Sequence, residues 1–202
     1  MTAPRSAVGS QARAVAIVCM LLAGVSGAAS VSEAFALFEI GRGSEEATVR
    51  STQGMPRADF LAKVFEAQAR AMEPDRQARA ALLVLLAVSM FFTFVCAGRV
   101  LRPAGLPREG IRRLLCGAAL VSAVLRTVDG AADAAYALRL AHLVVGLLPA
   151  DKQLPPGWLA PTSLGFSVGR TVLVAGTLAI IAQYFRSARV KAWAALQDES
   201  PR

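Results

Sequence analysis

The chain has 202 residues, of which 55% are hydrophobic and only 18% charged, and its mean hydropathy is +0.49. That balance lies outside the ordinary soluble class, and the length suits one membrane domain over 1–202 rather than several domains. The net charge of +8 does not point to nucleic acid, because the arginines stand at the ends of apolar runs instead of on one solvated face.

A polar leader, Met1–Gln11, precedes an apolar run at Ala14–Phe38. Arg5 and Arg13, the run Ala14–Gly24 and the small residues Ser26-Gly27-Ala28 fit the three regions of a signal peptide. The apolar character continues to Phe38, however, which is long enough to span, so a retained helix over 13–38 is expected. Gly41-Arg42-Gly43 is a helix stop, and Ser44–Gly54 reads as loop. Pro56–Glu73 then reads as an amphipathic helix, opened by Pro56 and closed by Pro74. Phe60, Leu61, Val64, Ala67 and Ala71 share one side, while Asp59–Lys63 and Glu66–Arg70 form i,i+4 pairs on the other. This helix is expected to lie on the outer membrane surface, to cap the bundle, or simply to connect two spans.

The run Ala80–Gly98 gives a second span, 79–101. A short connection crowded with Arg99, Arg102, Arg108, Arg112 and Arg113 follows it. The third run is too long for one crossing: as a single helix, Ile111–Leu148 would measure about 57 Å, against a hydrocarbon core of about 30 Å. A span over 113–136 whose helix continues outside as Ala137–Leu148 is expected. Pro149, Pro155, Pro156 and Pro161 then make a stiff outer loop, with Trp158 as an interface anchor. A fourth span, 166–186, leads into a short basic tail helix bearing Trp193.

The arginines beside the span ends place both termini and the Arg99–Arg113 connection in the cytoplasm, with segments 41–77 and 137–165 outside. Arg42, Arg50, Arg57, Lys63, Arg70 and Arg76 in the first outer segment argue the other way. The expected fold is all-α: a polytopic four-transmembrane-helix bundle with a small helical extracytoplasmic cap. Short connections and the preference for arginine over lysine suit a bacterial inner membrane.

Ionisable residues inside spans cost about 2.5–3.5 kcal/mol each at the centre and usually face partners. On the third helix Ser122, Arg126, Asp129, Asp133 and Tyr136 fall within about 80° of one another. The first helix offers Cys19, Ser26, Ser30 and Glu33, the fourth Ser167, Arg170, Thr177 and Tyr184. The second contributes only Ser89, Thr93 and Cys96. Counted from the basic ends, Arg126 lies about 20 Å deep, Asp129 and Arg170 about 24 Å, and Glu33 and Asp133 about 30 Å. An intramembrane cluster of Glu33, Asp129 and Asp133 compensated by Arg126 and Arg170 is therefore expected, with one negative charge left over.

Three cysteines without C-x-x-C spacing and a single histidine build no zinc or haem site, so no metal and no cofactor is expected. A structural disulfide is not expected either, since no cysteine falls in an outer segment. Gly24-Val25-Ser26-Gly27 resembles the G-x-S-G of rhomboid-like intramembrane proteases, and Ala141-His142-Leu143 resembles the histidine segment of that family. The likeness covers seven residues and would imply a Ser26–His142 acyl-transfer pair. That family's core has six spans, where four are read here. Gly165-Phe166-Ser167-Val168-Gly169 spells G-x-S-x-G, but the nucleophile elbow needs a strand before it. Packing by small residues accounts for Gly24, Gly27, Ala28, Gly169 and Gly176. The expected role is non-catalytic: a scaffold, regulatory or accessory subunit, in contact with lipid and with other membrane proteins or a second copy. A proton- or ion-coupled transporter or channel subunit is the alternative, and a serine hydrolase using Ser26 a remote one.

Overall fold

A computed structural model describes residues 5–40, 58–102, 107–147 and 159–199. The Gly41-Arg42-Gly43 stop, the Ser44–Gly54 loop, Pro56, Pro149, Pro155, Pro156 and Trp158 lie outside the described residues. The described residues are helical almost throughout, and none of them is in a strand. We number the helices α1 (Arg5–Ile40), α2 (Ala58–Met72), α3 (Arg76–Leu101), α4 (Arg108–Leu147), α5 (Leu159–Arg186) and α6 (Ala188–Asp198). The stretches Val8–Phe38, Glu66–Leu101, Arg108–Val145 and Ala160–Arg186 are long and apolar enough to cross a membrane. The fold class is an all-α, four-helix bundle.

Residue identity explains where the helices break. Pro74 lacks an N–H and cannot continue α2, so Glu73–Asp75 tightens into one 3₁₀ turn before α3 starts at Arg76. Pro103 sets the limit of α3, because the residue before a proline is pushed out of the helical region. α4 runs unbroken for 40 residues, about 60 Å, so the third apolar run is one helix that outreaches the bilayer. α5 starts earlier than the fourth span read from sequence: Pro161 sits in its first turn rather than in a loop. There its missing N–H is one that the helix leaves unbonded anyway. Residues 159–165 are accordingly helical, where the sequence reading expects a stiff loop through Pro161.

α1 and part of α4 reverse the usual distribution of side-chain size. Along α1 the small residues Ala12, Ala16, Cys19 and Ala23 are buried, while Val18, Leu21 and Val25 are exposed. α4 buries Ala118, Ala119, Ser122 and Ala123 and exposes Leu114, Val121 and Val124. In water this arrangement would leave a large apolar surface uncovered. In lipid it is favourable: tails solvate the large side chains, and small ones let backbones approach closely.

The packing divides into two compact units, each drawing on all four long helices. Unit 1 comprises Met1–Ser30, Leu85–Thr127 and Val172–Arg202. Its core holds Leu86, Met90, Leu115, Leu178, Ile181 and Phe185 beside the small α1 residues. Buried hydroxyls cross-link it, since Ser122 lies 2.7 Å from Ser89 and 3.0 Å from Thr93. The Cys116 thiol donates to the Ala182 carbonyl at 3.4 Å. α6 turns back from α5 at Ser187 and docks: the Asp198 carboxylate accepts the Arg108 and Glu109 amides at 2.8 and 3.1 Å. Trp193 packs on Gly9 and lies 5.4 Å from the Arg108 guanidinium by its ring centre.

Unit 2 comprises Val31–Val84 and Val128–Thr171. Ala34, Leu37, Ala80 and Leu83 form its apolar centre, with Met72 against them. α2 packs through buried Ala67 and Ala71, keeps Lys63, Glu66 and Arg70 exposed, and pairs Glu66 with Arg70. The far part of α4 is tied to the 3₁₀ turn by an Arg139–Asp75 ion pair of 2.7 Å. The amphipathic helix therefore packs on protein through its apolar side.

Candidate functional site

The charged residues of unit 2 converge on Asp133. On α4, steps of three and four residues put Asp129, Asp133 and Tyr136 on one side. From α3, Arg79 donates to Asp133 Oδ1 at 2.6 Å, and its guanidinium stands 5.3 Å from the Tyr136 ring centre. From α5, Arg170 donates to Asp133 Oδ2 at 2.9 Å, and Ser167, one turn earlier, donates to the same oxygen at 3.0 Å. Arg170 also reaches α1, donating to Glu33 Oε1 at 3.1 Å. Four helices are thus joined through two arginines and two carboxylates.

The network is shielded. Arg79 and Asp133 are 11% and 18% exposed in their side chains, against 31% and 34% for Arg170 and Glu33. Low local polarity strengthens such pairs but makes any unmatched charge expensive. Matching is what is found here, with each arginine set on a carboxylate. A cavity of about 260 Å³ opens beside the network. Glu33, Arg79, Asp133, Tyr136 and Arg170 form its polar side, and Leu37, Met72, Leu83 and Phe166 its apolar side. Gln68 of α2 lines it as well and shares a side-chain hydrogen bond with Tyr136.

The structure brings Glu33, Asp133 and Arg170 into direct contact. Asp129 is fully buried in the same unit, within electrostatic reach of Arg170. Arg126 is buried too but belongs to unit 1, and it is engaged in an interaction of its own. The residue that sequence reasoning missed is Arg79. Standing just before the apolar run Ala80–Gly98, it reads as a boundary residue, and the second helix reads as poor in polar groups. Arg79 gives the carboxylates of unit 2, Glu33, Asp129 and Asp133, a second arginine beside Arg170.

Of the two serine motifs, one has its hydroxyl engaged elsewhere. Ser26 lies in unit 1 and its carbonyl accepts the Ser30 hydroxyl at 2.9 Å, whereas His142 is exposed in unit 2. Ser167 is buried in the body of a helix and bonded to Asp133. The glycines need partial correction. Gly27 and Gly24 do sit against Met90 and Phe94, but a Cβ at Gly169 or Gly176 would meet open space, and Ala28 is exposed. The tight contact is at Gly130, where a Cβ would run into the Thr171 side chain. Comparison with known proteins gives no match: no family model, no curated protein and no solved structure resembles this chain.

Proposed function

We propose that this chain is a non-catalytic integral membrane protein, a scaffold or accessory subunit whose buried ion pairs fix how its helices meet. The observation that carries this reading is the matched set around Asp133. Two arginines and two carboxylates from four helices neutralise one another, as expected of a register-setting device. The partners in this reading are lipid and other membrane proteins or a second copy of the chain. The preference for arginine over lysine and the short connections favour a bacterial inner membrane, and the basic span ends favour cytoplasmic termini with α2 on the outer side.

The cavity of about 260 Å³ beside the network favours a second reading. Intramembrane carboxylates bordering a cavity are the usual hardware of proton- or ion-coupled transport. Purified protein in liposomes under a pH gradient separates the two. The scaffold reading predicts no proton flux for the natural chain, and a loss of folded protein for Asp133→Asn and Arg170→Gln. Flux that Asp133→Asn abolishes while the protein stays folded would replace it with the transport reading.

A further inference from the structure

The basic cluster of unit 1 has chemistry that the charge network does not use. The ends of the apolar spans at Val8, Leu101, Arg108 and Arg186 all belong to this unit. A shallow niche there is lined by Arg99, Arg108, Arg112 and Trp193 over Ile111 and Phe185. Its carboxylates are already engaged. Asp198 holds the Arg108 and Glu109 backbone amides and adds its negative charge at Arg108. Glu109 holds Arg112 at 2.6 and 2.7 Å and Arg113 at 2.9 Å. Arg99 is exposed and has neither a hydrogen bond nor an ion pair among the described residues. Arg108 stands 5.4 Å from the Trp193 ring centre, and Arg13 of α1 adds its positive charge at Arg108. Five arginines, Arg13, Arg99, Arg108, Arg112 and Arg113, therefore face two carboxylates.

We propose that the mouth of this niche holds the phosphate of an anionic phospholipid headgroup, with Arg99 and Arg108 as its cationic ligands and Trp193 beside them. Three observations favour lipid over a soluble phosphate ester. The span ends set the niche at headgroup level whichever way the chain is inserted. Its free volume is about 10 Å³, room for one water-sized group and too little for a whole phosphate, so the phosphate rests at the mouth and the rest of the ligand lies outside. Leu114, on the turn of α4 after the arginines, is 55% exposed and offers acyl chains an apolar surface. Basic pockets between spans are recognised in this way by anionic headgroups.

The test uses Trp193 as reporter. Of the two tryptophans, Trp158→Phe removes the other, and the full chain is placed in phosphatidylcholine vesicles. Brominated phosphatidylglycerol or brominated phosphatidylcholine is then added at equal mole fraction. Stronger quenching of Trp193 by the anionic lipid is expected, and Arg99→Gln should weaken that preference by more than the roughly fivefold effect of one arginine at a charged surface. Arg113→Gln, which leaves the niche intact, should weaken it by no more than that diffuse effect. Equal quenching by the two lipids overturns the proposal, as does an Arg113→Gln effect as large as that of Arg99→Gln, which would mean diffuse surface charge. Loss of the preference when glycerol phosphate is added to the buffer overturns the assignment to lipid in favour of a soluble phosphate site.

Discussion

At the scale of single residues, Asp133 is the most connected group, accepting from Arg79, Arg170 and Ser167, whereas Glu33 is held by Arg170. Asp133→Asn should therefore cost about 3–5 kcal/mol, since it strips charge compensation from two guanidiniums. Glu33→Gln should cost about 0.6 kcal/mol, the average for polar contacts between membrane helices. Thermal unfolding in detergent would show the order, and equal losses would contradict it. The glycines give a second contrast. Gly130→Ala drives a methyl into Thr171 and should destabilise by about 1–3 kcal/mol. Gly169→Ala enters open space and should stabilise by up to about 1 kcal/mol through helix propensity. Sequence could not separate these two, because a glycine's neighbours are set by helix rotation and crossing, which spacing along one chain does not encode. Arg79 was hidden for a related reason: beside an apolar run, a charge that turns inward looks the same as one that ends the span.

At the scale of elements, periodicity and proline carried far. Pro74 closes α2, and the apolar side of α2 is the side that packs. The third apolar run is a single helix because nothing inside it interrupts the hydrogen-bond ladder. Proline misled at Pro161, where the same residue that breaks a helix interior is tolerated in a first turn. The docking of α6 was not legible, because Asp198 lies 90 residues from the Arg108 amide that it accepts. Replacing Asp198 by Ala should cost about 1 kcal/mol, as for loss of a helix cap, and should speed proteolysis of the α6 tail. A tail cleaved at the natural rate in Asp198→Ala would refute its role as a clasp.

At the scale of the whole molecule, composition made membrane residence legible, and the structure adds an inverted size pattern on α1 and part of α4, with small side chains packed within and large apolar ones turned outward. Such a molecule has little hydrophobic force holding helix to helix, so specific polar contacts are left to set register. The central claim is that the pairs around Asp133 couple energetically. A double-mutant cycle on Arg79→Gln and Asp133→Asn, followed by unfolding in lipid-detergent bicelles, tests it most directly. Coupling of at least about 1 kcal/mol is expected; losses that add to within about 0.3 kcal/mol would show that the two residues act independently.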